Sequence, residues 1–110
     1  MKIELLYFEG CPSYEGLLPE VRDLIAREVI GAELELRPVE TIEAAQRERF
    51  LGSPTVRVDG ADVEPGAAAR EDFGIKCRLY RADTGLVHTP PMDWIRAAVR
   101  SARSSADGPG

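Results

Sequence analysis

Cysteine, histidine and basic charge are all scarce in this sequence. Two cysteines and one histidine stand among 110 residues. A tetrahedral zinc site takes four ligands from Cys, His or carboxylates, and Cys11, Cys77 and His88 show no paired ligand spacing. A small secreted scaffold held by disulfides would carry more cysteines. Against 14 Lys and Arg stand 19 Asp and Glu, a formal net charge of −5. A phosphate backbone is repelled by that balance on average, and no basic stripe offsets it. No apolar run nears the roughly 18 residues of a membrane span. Met1-Lys2-Ile3-Glu4 enters a strand-like pattern at once, and Glu4 and Glu9 are out of place in a secretory leader. The expectation is a cytoplasmic protein with no nucleic acid, membrane, metal or cofactor among its partners. Its oligomeric state is not legible.

What is present suits one globular domain: 44% apolar and 30% charged residues in a chain of 110. Ile3-Glu4-Leu5-Leu6-Tyr7-Phe8 is apolar on both parities and reads as a strand covered on both faces. Gly10-Cys11-Pro12 breaks it, and Pro12 suits the first turn of a helix. Leu17, Leu18, Val21, Leu24 and Ile25 recur at helical spacing to about Ile30, with Gly31 as a stop. Pro19 inside this run predicts a kink or a late helix start. Glu33-Leu34-Glu35-Leu36-Arg37 alternates as a partly exposed strand, which completes a βαβ unit. Thr41 is a fair N-cap for a short helix through Ile42 and Ala45.

Ser53-Pro54-Thr55 leads into a third strand with Val56 and Val58, and Cys77-Arg78-Leu79-Tyr80 reads as the fourth. Thr89-Pro90-Pro91 opens a last helix carrying Trp94, Ile95, Ala98 and Val99. The order is β-α-β-α-β-β-α, an α/β domain over residues 1–100 with a four-stranded mixed sheet and helices on both faces. Residues 101–110 lack periodicity and read as a disordered tail. The stretch 61–76 is anomalous, because an Asp59-Gly60 turn normally leads straight into the next strand. Loops of that length in a small domain are usually functional or mobile.

Cys11 falls between the central strand and the first helix turn, where backbone N–H groups and the helix dipole favour negative charge. A thiolate is stabilised there, and its pKa is expected below the free value of about 8.5. Ser13 adds a donor in the same turn, while Glu9 and Glu15 oppose the charge. Free cysteines often serve as small buried fillers. Gly10 and Pro12 argue instead for an exposed turn and a reactive thiol.

The strand, Gly10-Cys11-Pro12-Ser13-Tyr14, the helix, and Ser53-Pro54-Thr55 entering the third strand together resemble the thioredoxin-like fold. Cys11 and Pro54 lie 43 positions apart, the separation that fold uses between its thiol and the facing proline. The resemblance implies a cis Pro54 against the Cys11 sulfur, offering backbone groups to an extended substrate. It also implies that Cys11 is the nucleophile and that Pro12, Ser13, Tyr14, Ser53, Pro54 and Thr55 bind substrate. Tyr14 would cap the thiol pocket or donate to a bound sulfur. More narrowly, Tyr7-Phe8-Glu9-Gly10-Cys11-Pro12, Gly52-Ser53-Pro54-Thr55 and Phe73-Gly74-Ile75-Lys76-Cys77-Arg78-Leu79-Tyr80 resemble small bacterial thioredoxin-family proteins. Members of that group are variously labelled selenoprotein-related or alkylmercury lyase.

Tyr14 stands where a dithiol thioredoxin has its second cysteine, so Cys11 has no local partner. In one mechanism Cys11 works alone, with an external small thiol resolving the mixed disulfide. In the other, Cys77 is the resolving thiol. A fourth strand antiparallel to the third would end near Pro54, leaving Cys77 about 13 Å away at roughly 3.3 Å per residue. A disulfide needs Cα atoms within about 7 Å, so Cys77 is expected to be a packed strand residue. The expected partners are a low-molecular-weight thiol or a protein disulfide. The alternative is a binding module for a thiol, a peptide or a soft metal, including mercury held with Cys77.

Overall fold

Ile3, Leu5 and Leu6 are fully buried within β1 (Lys2–Tyr7), as an apolar pattern on both parities demands. The computed structural model describes residues 1–106. Strand β1 pairs in parallel with β2 (Glu33–Pro38) and antiparallel with β3 (Thr55–Val58). Strand β4 (Ala61–Asp62) completes the sheet antiparallel to β3, in the order β2-β1-β3-β4. Helix α1 (Pro12–Glu28) connects β1 to β2, α2 (Ile42–Glu48) connects β2 to β3, and α3 (Met92–Ala106) follows the strands. The architecture is α/β, with a four-stranded mixed sheet and three α-helices among the described residues.

Side chains alternate across a strand, so each face of the sheet has its own core. Ile3, Leu5, Val56 and Val58 pack with Leu17, Val21 and Leu24 of α1 and with Ile95 and Val99 of α3. On the other side Leu6 joins Val39, Ala45 and Phe50 beneath α2. Thr41 starts α2 as its side chain accepts the Ala44 N–H at 3.0 Å, the capping that its residue type predicts.

Three expectations are corrected here. The fourth strand is Ala61–Asp62, not Cys77–Tyr80. Asp59 (φ 48°) and Gly60 (φ 89°) both take the left-handed conformation of a tight hairpin turn and return the chain at once. A strand of two residues leaves no alternating pattern to read. Tyr80–Ala82 instead forms β5, paired with β6 (Gly85–Val87) in a separate two-stranded sheet. The intervening stretch is held by a 3-10 turn at Ala67–Ala69 and by Arg70, which bonds Glu64 and Asp72.

Helix α1 begins at Pro12 and runs through Pro19, which excludes a late start. The Glu15 carbonyl that Pro19 leaves without its usual donor lies on an exposed stretch where water can serve it. The tail expected from Ser101 begins too early, because α3 continues to Ala106. Arg103 donates to the Glu28 carbonyl at 2.7 Å and ties this last part of α3 to the end of α1. Residues 107–110 of that expected tail lie outside the described residues.

Leu5 is fully buried between β1 and the α1–α3 layer. Replacing it with Ala should cost about 2–5 kcal/mol through lost transfer energy and the cavity left behind. Urea unfolding checks this, with the midpoint falling while the slope holds.

Candidate functional site

Beyond Tyr7 the chain leaves the sheet through Gly10, whose φ of 88° suits glycine. Cys11 follows as the N-cap of α1 with extended backbone, φ −80° and ψ 108°. Its N–H donates to Phe8 O at 3.3 Å, and its carbonyl accepts Glu15 N at 3.4 Å as the first helical bond. Its side chain accepts no capping bond. The N–H groups of Ser13 and Tyr14 are therefore without an intrahelical acceptor beside the sulfur.

Cys11 is 2% exposed, which corrects the expectation of an exposed turn. Gly10 and Pro12 do face solvent while the residue between them turns inward. The sulfur nonetheless belongs to neither apolar cluster. Nearby, the Tyr7 and Tyr14 rings stack with centroids 3.8 Å apart and planes 3° from parallel. Burial, and then the neighbouring Tyr7 hydroxyl, raise the pKa of the Tyr14 phenol.

The Ser53–Pro54 peptide is cis. Leu6 pairs with Thr55, so the cis bond enters β3 at the end of the sheet from which β1 runs on toward Cys11. Every residue from Phe50 to Val56 is buried. The cover comes from the segment read as the fourth strand. Ser53 and Cys77 form an isolated parallel bridge. Ser53 N donates to Lys76 O at 2.8 Å, and Arg78 N donates to Ser53 O at 2.9 Å. Gly52 admits this close approach, since a Cβ there would lie 3.0 Å from both the Arg78 Cβ and the Lys76 carbonyl oxygen.

Below that bridge lies a polar network that the sequence reading missed. Arg78 is 1% exposed and forms a two-pronged pair with Asp62 at 2.8 and 3.0 Å. It also donates to Thr55 Oγ1 at 2.9 Å, while that hydroxyl donates to Gly52 O at 2.6 Å. Its guanidinium carbon stands 4.5 Å from the Tyr80 ring centroid. The Tyr80 hydroxyl donates to the Pro54 carbonyl. Burial is the largest single influence on the Arg78 pKa and lowers it, but the bonds to Asp62 together with the charges of Tyr80, Asp62 and Glu64 leave it raised. In Cys77-Arg78-Leu79-Tyr80, positions 78 and 80 are buried while the apolar Cys77 and Leu79 face solvent, so alternation gave no signal for the network.

Cys77 is thus exposed, and the expectation of a packed strand residue is corrected. The 13 Å argument fails with it, because the bridge runs parallel and sets Cys77 directly against Ser53. The sequence-derived residues divide accordingly. Pro12 is exposed, Ser13 and Tyr14 are half-buried, and Ser53, Pro54 and Thr55 are enclosed. A groove of about 1220 Å³ along the β3–β4 edge, bordered by Arg57, Gly60, Trp94 and Ala98, includes none of them. Among the described residues no three of His, Cys, Asp and Glu gather as a metal site, and no helix is long and apolar enough to cross a membrane. Comparison with family models, curated proteins and solved structures gave no match to this chain.

Two outcomes follow from the network. Asp62→Ala removes both close bonds to the Arg78 charge, leaving Glu64 at 3.5 Å, and should cost about 3–5 kcal/mol, whereas Asp62→Leu with Arg78→Met should recover much of the loss; urea unfolding of the three chains checks it. Burial, ahead of all other influences, raises the Tyr80 pKa above its ordinary value. Above about pH 10 an unfolded tyrosine gives up its proton while the buried one keeps it, so stability falls by up to about 1.4 kcal/mol per pH unit. Tyr80→Phe should flatten that part of the alkaline decline in urea midpoints between pH 9 and 11, leaving the smaller share of Tyr14.

Proposed function

We propose that this chain is a thioredoxin-like domain that exchanges thiols and disulfides through Cys11 as a single nucleophile, in a reducing cytoplasm. The observation that carries this reading is a cysteine at the N-cap of a 17-residue helix, directly after the central strand, with the cis Ser53–Pro54 bond entering the adjacent antiparallel strand. The strand order β2-β1-β3-β4, parallel on one side of β1 and antiparallel on the other, supports it. So do the helices on both faces. Unpaired N–H groups of the first helical turn lie at the end of α1 that receives an anion. Tyr14 occupies the place of a local resolving thiol, so an external thiol closes the cycle.

The burial of Cys11 favours a second reading. Here the fold is kept as a module that holds a thiol, a peptide or a soft metal without turnover, with exposed Cys77 as a second sulfur for mercury. The two readings part on reversibility. After the intact chain is incubated with bis(2-hydroxyethyl) disulfide, digestion and mass spectrometry should show an adduct on Cys11 that excess 2-mercaptoethanol removes. An adduct confined to Cys77, or an internal Cys11–Cys77 link, would overturn the single-thiol reading.

A further inference from the structure

Polypeptide substrates commonly add a strand to an exposed edge, where alternating free N–H and C=O groups receive them. The proline side of the Cys11 site offers no such edge. Pro12 and Pro54 have no N–H, and the Pro54 carbonyl accepts the Tyr80 hydroxyl. Ser53 is committed on both sides, its N–H to Lys76 O and its C=O to Arg78 N. The Gly52 carbonyl accepts Thr55 Oγ1. Cys11 itself donates to Phe8 and accepts from Glu15. Within the first turn of α1 the donors left over are the N–H groups of Ser13 and Tyr14. They suit a sulfur anion and not a ladder.

Enclosure acts in the same direction. Cys11 is 2% exposed and Ser53 1% exposed, and the Ser53 hydroxyl is buried without a partner among the described residues. The chain's own Lys76–Arg78 segment lies where an incoming strand would have to pair. We infer that the Cys11 site takes low-molecular-weight thiols and disulfides and excludes polypeptide chains. This rests on the exchange reading given above.

The chemistry balances without any further redox partner. The Cys11 thiol loses its proton to solvent, and the thiolate attacks one sulfur of a small disulfide. A new S–S bond forms to Cys11 as the old one breaks, and the departing thiolate takes up a proton. A second small thiolate then attacks the adduct, regenerating the Cys11 thiolate and leaving with the other half as a new small disulfide. In each step one S–S bond forms and one breaks.

The test compares two oxidised substrates, with 2-mercaptoethanol as the common reductant. Bis(2-hydroxyethyl) disulfide is the small probe and insulin, with its interchain disulfides, the polypeptide. Each rate is the difference between the intact chain and Cys11→Ser, which removes any contribution of Cys77. The Cys11-dependent rate with insulin should be at least roughly 30-fold below that with the small disulfide, the scale of two missing main-chain hydrogen bonds. Hydrogen exchange of the free protein should show the Ser53 amide protected. Insulin reduction within a few-fold of the small substrate, or rapid exchange at Ser53, would overturn the inference alone. No Cys11-dependent rate with either substrate would remove the exchange reading itself, and the inference with it.

Discussion

A guanidinium can leave water only when charge and hydrogen bonds replace what water supplied, and the polar core of this protein is arranged around that requirement. Arg78 is enclosed with two parallel bonds to Asp62, a third to Thr55 and Glu64 at 3.5 Å, while its Nε has no partner among the described residues. Each of those partners is fixed in turn. Asp62 sits on the two-residue strand β4, paired with Arg57. Thr55 opens β3 and pairs with Leu6 of the central strand. The side chain of Arg78 thereby joins the sheet edge to the entry of β3, while its backbone joins Ser53. Tyr80, two residues on, adds the bond to Pro54. Arg78 and Tyr80 together hold the 53–55 stretch in place, and the segment read as the fourth strand proves to be its cover.

Parts of this plan were legible because local chemistry and global fold agreed. Ile3, Leu5 and Leu6 announce a central strand. Pro12 marks the first turn of α1, Thr41 caps α2, and the alternation of Leu34 and Leu36 places β2. The errors at β4 and over residues 77–80 share one physical origin. A strand of two residues, Ala61–Asp62, has no period, and its existence rests on left-handed backbone at Asp59 and Gly60 and on an ion pair 16 positions away in sequence. Pairing set by a distant salt bridge leaves no local pattern. Once β4 was misplaced, Cys77-Arg78-Leu79-Tyr80 took its role, and the enclosed position of Arg78 went unmarked. The burial of Cys11 escaped for a related reason. Exposed neighbours on both sides, Gly10 and Pro12, say nothing about a side chain that turns the other way.

Enclosure and reactivity of a thiol usually conflict, since reactive cysteines need at least partial access. The two walls of the Cys11 site differ in how that conflict can be relieved. The Ser53–Thr55 wall is firmly held, with the Ser53 backbone bonded to Lys76 and Arg78 and the Thr55 hydroxyl tied to Arg78. The Glu9–Tyr14 wall is lightly held. Glu9, Gly10 and Pro12 are exposed, and the turn is closed by one bond of 3.3 Å from Cys11 to Phe8. Local opening follows the sparsest contacts and the most exposed backbone bonds. Access to the sulfur therefore comes from the helix side, past the stacked tyrosines, and not through the proline side where an extended chain would lie. A small molecule needs only that brief opening. A strand would need the Arg78 network dismantled first, and the two demands differ by the stability of a buried ion pair.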